Sequence, residues 1–187
     1  MMELRKLLFG GILIIFSTSN AQEVDSGNKL ENNLIVNFVN PSIEYEWRIS
    51  NYTLLSTALG IGYNGAYENL TLTDDGFNYI IQPFIDVQYK FMYNRKKRER
   101  KGRILARNSG NFVSLRGIAR GWSIADNVVK PSDFDFAIGP TWGIQRSYTK
   151  FRMLVDIGPQ YYFDGLGNSG FFPFMVQINL GLNLSKL

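Results

Sequence analysis

Residues 172–184 read Phe-Pro-Phe-Met-Val-Gln-Ile-Asn-Leu-Gly-Leu-Asn-Leu, and every even position is apolar. Between them stand Pro173, Met175, Gln177, Asn179, Gly181 and Asn183, of which only Met175 is a large apolar residue. Successive strand side chains point to opposite faces, so this period of two makes one greasy face and one polar face. A helix, turning every 3.6 residues, cannot produce it. The alternation lasts 13 residues. Strands of globular proteins average five or six, whereas a tilted membrane-crossing strand needs about 9–11.

Five more segments repeat the pattern. Residues 79–93 set Tyr79, Ile81, Ile85, Val87, Tyr89, Phe91 and Tyr93 against Gln82, Asp86, Gln88 and Lys90. Residues 134–148 set Phe134, Phe136, Ile138, Trp142 and Ile144 against Asp135, Thr141 and Gln145. Residues 151–163 set Phe151, Met153, Val155, Ile157, Tyr161 and Phe163 against Arg152, Asp156 and Gln160. Weaker versions occur at 53–63 (Leu55, Leu59, Ile61, Tyr63) and 113–121 (Val113, Leu115, Ala119 opposed to Ser114, Arg116, Arg120).

Upstream, Ile43, Tyr45, Trp47 and Ile49 follow Leu34, Val36 and Phe38 on the opposite parity, with Pro41 at the phase break. Proline cannot donate to a central ladder, so Pro41 marks a turn or a bulge. Single-chain barrels of the bacterial outer membrane have even strand numbers. A turn at Pro41 makes eight strands; a bulge makes seven, so the turn is adopted. The expectation is all-β: an eight-stranded antiparallel up-and-down transmembrane β-barrel. Segments 50–51 and 147–150 become short inner turns, and 64–77, 123–132 and 164–170 longer outer loops.

Composition agrees. Of 187 residues, 45% are apolar, 19% charged and 14% aromatic, which supports a folded chain, and no apolar run reaches the ~18 residues of a spanning helix. Cysteine and histidine are both absent, which removes disulfides, thiolate metal sites and the histidine-dependent hydrolases. Residues 1–21 read as a secretory signal peptide: Arg5 and Lys6, an apolar run from Leu7 to Phe16, then Ser19 and Ala21 at small-residue cleavage positions. Cleavage after Ala21 leaves 18 cations and 15 acids, a net charge of +3. Residues 22–31 then form a short polar periplasmic tail, and 32–187 the outer-membrane β-barrel.

Parity alone does not say which face meets water. A soluble lipocalin-like barrel turns its apolar face inward; a membrane barrel turns it outward. The long unbroken apolar faces, the aromatics near strand ends and the sparse mixed charges on the polar faces favour the membrane. The lumen is then expected to hold Glu44, Glu46, Asp86 and Asp156 against Arg48, Lys90, Arg116, Arg120 and Arg152. Such charges must pair to offset desolvation, and they read as a salt-bridged plug. No cofactor or metal is expected; Asp74-Asp75 alone is too little for calcium.

A second feature is basic. Arg95, Lys96, Lys97, Arg98, Arg100, Lys101, Arg103 and Arg107 stand within 13 residues with one acid, Glu99. The export signal argues against nucleic acid. The strand count makes this a periplasmic turn, solvated, or set against anionic phospholipid headgroups at about 1 kcal/mol per charge, or against an acidic periplasmic partner.

The chain resembles the small outer-membrane β-barrel proteins of the Bacteroidota, with an architecture similar to OmpA/OmpX-type barrels. The residues that carry the likeness are Asn40-Pro41-Ser42 to Glu46-Trp47, Tyr93-Asn94-Arg95-Lys96-Lys97-Arg98, and Asn108-Ser109-Gly110-Asn111-Phe112-Val113-Ser114-Leu115. The resemblance implies export, insertion by the barrel assembly machinery, contact with outer-membrane lipids and lipopolysaccharide, and no catalytic residues. The expected function is non-enzymatic: envelope integrity or surface interaction through the outer loops. The alternatives are a narrow small-solute channel and a soluble lipocalin-like ligand-binding barrel. A lipid-modifying barrel enzyme comes last, because such enzymes lean on histidine.

Overall fold

A computed structural model describes residues 29–63, 79–126, 132–148 and 150–184. The expected signal peptide, most of the tail, the loop 64–77 with its Asp74-Asp75 and the centre of the loop 123–132 lie outside the described residues. The chain is all-β. Its strands are β1 (Asn33–Asn37), β2 (Ser42–Arg48), β3 (Thr53–Tyr63), β4 (Ile80–Phe91), β5 (Gly110–Arg120), β6 (Ala125–Asp126), β7 (Asp135–Tyr148), β8 (Phe151–Asp164) and β9 (Ser169–Asn183), with one helix, α1 (Arg95–Arg100). They form one antiparallel nine-stranded sheet in the order β3-β2-β1-β9-β8-β7-β5-β4-β6, and β3 also pairs with β4, so the sheet closes into a ring. First and last strands meet through Ile35↔Asn183, Val36↔Leu182 and Asn37↔Gly181.

Eight strands make the ring; β6 is an addition that the alternation did not announce, because two residues carry no period. It pairs Ala125 with Ile81 and Asp126 with Ile80 of β4. The phase break at Pro41 is a turn, since β1 and β2 pair antiparallel across residues 38–41. Pro41 needs no ladder donor there, and its carbonyl accepts from the Ile61 amide at 2.8 Å. The connection near 164–170 is tighter than expected. Asp164 Oδ1 accepts from the Leu166 and Asn168 amides, both at 2.9 Å, and Gly167 takes φ +90°, so the chain reverses in four residues.

The two faces separate as the period requires. Outward positions carry Ile43, Leu59, Ile85, Tyr89, Leu115, Ile138, Trp142, Tyr161, Val176 and Ile178, part of a set of 34 exposed large hydrophobic side chains among the described residues. Inward positions carry buried Glu44, Glu46, Asp86, Gln88, Lys90, Arg116, Gln145, Arg152 and Asp156. One expectation reverses: Phe172 turns inward, its ring 5.2 Å from that of Tyr162, and Phe171 is exposed instead. The register steps from Gly158↔Met175 to Gln160↔Phe172, so β9 carries one extra residue opposite Pro159. Pro159 and Pro173 both lack an amide hydrogen, so this bulge loses little pairing, and it flips the parity beyond it.

The repeated Gly-Pro pairs face each other. Ladder pairing between β7 and β8 runs to Ile138↔Tyr161 and resumes at Trp142↔Ile157, with Gly139-Pro140 and Gly158-Pro159 in the gap. A Cβ on Gly139 would lie 2.1 Å from the Pro159 carbonyl oxygen, and one on Gly158 2.0 Å from that of Pro140. Glycine is needed there because the two backbones approach too closely for any side chain. Gly139→Ala is therefore expected to cost at least the 1–3 kcal/mol of an overpacked site, read from urea midpoints. Gly117→Ala, whose Cβ meets nothing within 4 Å, is expected to leave the midpoint within error.

Candidate functional site

The interior of the ring is layered, and each layer follows from which strands bring inward residues to one level. At the α1 end, Leu30, Leu54, Met92, Phe112 and Leu154 make a buried apolar cluster. Next comes a charged layer of Glu44 and Glu46 from β2, Lys90 from β4 and Arg152 from β8. Arg152 grips Glu44 with both terminal nitrogens, at 2.7 and 2.8 Å, and reaches Glu46 at 3.3 Å. Lys90 Nζ lies 3.3 Å from Glu44 and 3.1 Å from Glu46, and 5.5 Å from the centroid of the Phe112 ring. Neutral donors complete the carboxylates: Ser56 Oγ and Asn37 Nδ2 to Glu44 at 2.6 and 3.0 Å, Asn108 Nδ2 and Gln145 Nε2 to Glu46 at 2.8 and 3.2 Å. Two acids balance two cations, and neither Lys90 nor Glu46 exposes any surface.

A second layer is acid-rich. Arg116 Nε donates to both oxygens of Asp86, at 3.1 and 3.0 Å, and its NH1 lies 3.8 Å from Asp156 Oδ1. Gln88 donates to Asp156 Oδ2 at 2.9 Å and bridges toward Gln177. Here one guanidinium serves two carboxylates. Nearer the far end, Arg120 pairs with Asp135 at 2.8 Å, and a second apolar group of Ile118, Ala137, Tyr162 and Phe172 fills the space. A cavity of about 110 Å3 remains beside Gln82, Phe84, Arg116, Arg120 and Gln177.

Eight of the nine expected interior charges face inward, but they fall into separate groups rather than one network. Arg48 is the exception: half-exposed at the end of β2, it donates to Asn51 Oδ1 at 3.1 Å. The strand ends there, so solvation costs that guanidinium less than burial would. The sequence reading missed Asp135 as the partner of Arg120. It also missed Asn108, which sits at φ +61°, binds Glu46, and exchanges hydrogen bonds with the Glu31 backbone, both at 2.8 Å. Its type was the available signal, since asparagine tolerates the left-handed region better than most residues.

The basic run is a folded cap, not a plain solvated turn. Arg95, Lys96, Lys97, Arg98 and Arg100 belong to α1, while Lys101, Arg103 and Arg107 follow it. Arg95 and Arg98 are buried: Arg95 reaches the Leu105 carbonyl at 3.2 Å and Arg98 that of Ile104 at 2.7 Å. Burial holds both guanidiniums below the usual arginine value, and the charge of Arg103 adds to the effect at Arg98. The helix closes with Gly102 at φ +59°, the Gly102 amide on the Glu99 carbonyl (2.9 Å) and the Arg103 amide on that of Arg98 (3.0 Å). This left-handed stop projects Lys101, Arg103 and Ile104 into solvent.

Comparison of the chain with protein-family models, with curated proteins and with solved structures returned no match.

Proposed function

We propose that this chain is an integral outer-membrane protein: an eight-stranded up-and-down transmembrane β-barrel whose lumen is filled by side chains. Its role on this reading is non-enzymatic, in envelope integrity or in surface contacts made by the loops opposite α1. The observation that carries it is the inverted distribution of polarity. Exposed hydrophobics cover the outside of the ring while buried charges fill the inside. Soluble monomers rarely expose contiguous apolar patches beyond a few hundred Å2. A lipocalin-like barrel would carry the opposite arrangement, with an apolar interior. Six ring strands of 11–15 residues also meet the length a tilted membrane strand needs.

The rest of the reading follows from this orientation. Export by the signal peptide and insertion by the barrel assembly machinery precede contact with phospholipid and lipopolysaccharide around the aromatic ring edges, as the resemblance to Bacteroidota barrels implies. The interior carboxylates are engaged by Arg116, Lys90 and Arg152, which suits a plug better than a reaction centre. The apolar cluster around Phe112 and Leu154 seals the α1 end, which disfavours a channel.

Electrophoresis of boiled and unboiled outer-membrane fractions tests the proposal. A mobility shift on boiling, with mass showing loss of residues 1–21, is the expected result. A protein soluble without detergent and unshifted rejects it. In planar bilayers the purified protein is expected to give a flat current trace; stepwise conductance would overturn the filled lumen while leaving the barrel intact.

A further inference from the structure

The cap contains a cluster of cations that the interior charge pairs do not serve. Arg98 and Arg103 border two adjoining depressions of about 520 and 370 Å3. The first is completed by Tyr93, Lys97 and Lys101, the second by Ile104, Arg146 and Tyr148. Arg146 stands on the outward face of β7, tied by NH1 to the Gly110 carbonyl and by NH2 to Asn111 Oδ1, both at 2.7 Å. Arg98 and Arg103 line the same depression as Arg146, so like charges have been gathered. Repulsion of this kind is tolerated where an anion completes the site.

A further observation points to a lipid. Arg98 stands in the wall shared by both depressions. The groove also adjoins apolar surface of the right kind. Tyr93 is exposed and accepts from the Trp142 indole at 2.8 Å, and Ile104 is 52% exposed at the rim. A free phosphate would have no use for these two side chains; a lipid would.

We propose that this groove, formed by Lys97, Arg98, Lys101, Arg103 and Arg146, binds the phosphodiester headgroup of an anionic phospholipid, with Tyr93 and Ile104 against the start of its acyl chains. The inference rests on the membrane reading above, which sets the groove at headgroup level. Lys97, Lys101 and Arg103 supply the donors to the phosphate oxygens; Arg98 and Arg146, whose terminal nitrogens are held by the Ile104, Gly110, Gln145 and Asn111 oxygens, add fixed positive charge to the wall.

The test uses the full mature chain in phosphatidylcholine nanodiscs, titrated with brominated phosphatidylglycerol and followed by quenching of tryptophan. Two variants remove the same charge: Lys101→Gln/Arg103→Gln in the groove, and Lys96→Gln/Arg100→Gln on the exposed remainder of α1. Expected is a preference for phosphatidylglycerol that the groove variant weakens by about tenfold or more and the control by much less, because only the groove side chains donate to the phosphate. Equal losses in both variants overturn the site in favour of diffuse attraction. No preference in the wild type overturns it outright. Displacement of the brominated lipid by millimolar inorganic phosphate reassigns the groove to free phosphate and overturns the lipid. A chain that fails to enter the discs rejects the membrane reading and the site together; one that enters and ignores phosphatidylglycerol rejects the site alone.

Discussion

Arg152→Met is expected to lower the unfolding free energy by about 3–5 kcal/mol, measured by urea titration of the protein folded in detergent micelles. The side chain is buried and holds both oxygens of Glu44 while touching Glu46. Methionine keeps the apolar bulk but leaves two buried carboxylates facing Lys90 alone. Adding Glu44→Gln restores the balance, because Lys90 and Glu46 remain as a pair at 3.1 Å. The double variant is therefore expected to be more stable than Arg152→Met alone, with a coupling of 1 kcal/mol or more of the kind contacting residues show. Strictly additive losses would mean that Glu44 and Arg152 do not meet, and would sink the interior arrangement.

Leu115→Arg is the second large effect, expected at about 2–4 kcal/mol when unfolding is followed in lipid vesicles. Leu115 lies midway along β5, points outward at 55% exposure, and pairs with Tyr89 and Pro140 on its neighbours. A guanidinium there must enter hydrocarbon if the ring sits in a bilayer. On a water-facing sheet the same change stays within about 0.5 kcal/mol. A null result with Leu115→Arg, in a protein that still gives the boiling shift, would move the bilayer away from this level of β5.

Much of the fold was legible because period two is a local property. Residues 172–184 announce a strand with no partner in view, and the same holds for 79–93, 134–148 and 151–163. Ring closure was nearly legible, since the even-number rule turned Pro41 from an ambiguity into a turn. What escaped was short or irregular. The pair Ala125–Asp126 is too brief to show alternation, and the extra residue of β9 at Pro173 reverses parity without any change in composition. The cap escaped for a related reason: eight cations in 13 residues look like a solvated run, and nothing local tells that Arg95 and Arg98 turn inward onto the carbonyls of Leu105 and Ile104.

The site divides along the same line. Charged residues on polar faces could be named one by one, but their partners could not. Glu44 and Arg152 are 108 positions apart, and Gln145 and Glu46 are 99 apart. Asp135 is legible as an inward strand residue but not as the partner of Arg120. Arg48 shares the parity of Glu44 and Glu46, yet it ends its strand and finds solvent.

Residue order alone sets an all-β chain of long amphipathic strands, because backbone geometry ties side-chain direction to residue parity wherever a strand forms. Which parity faces inward, which carboxylate meets which cation, and where the basic run folds back on itself emerge only in the closed ring. Those outcomes depend on register and closure among strands remote in sequence, and on the cost of leaving a charge buried without its partner, neither of which any short stretch of chain contains.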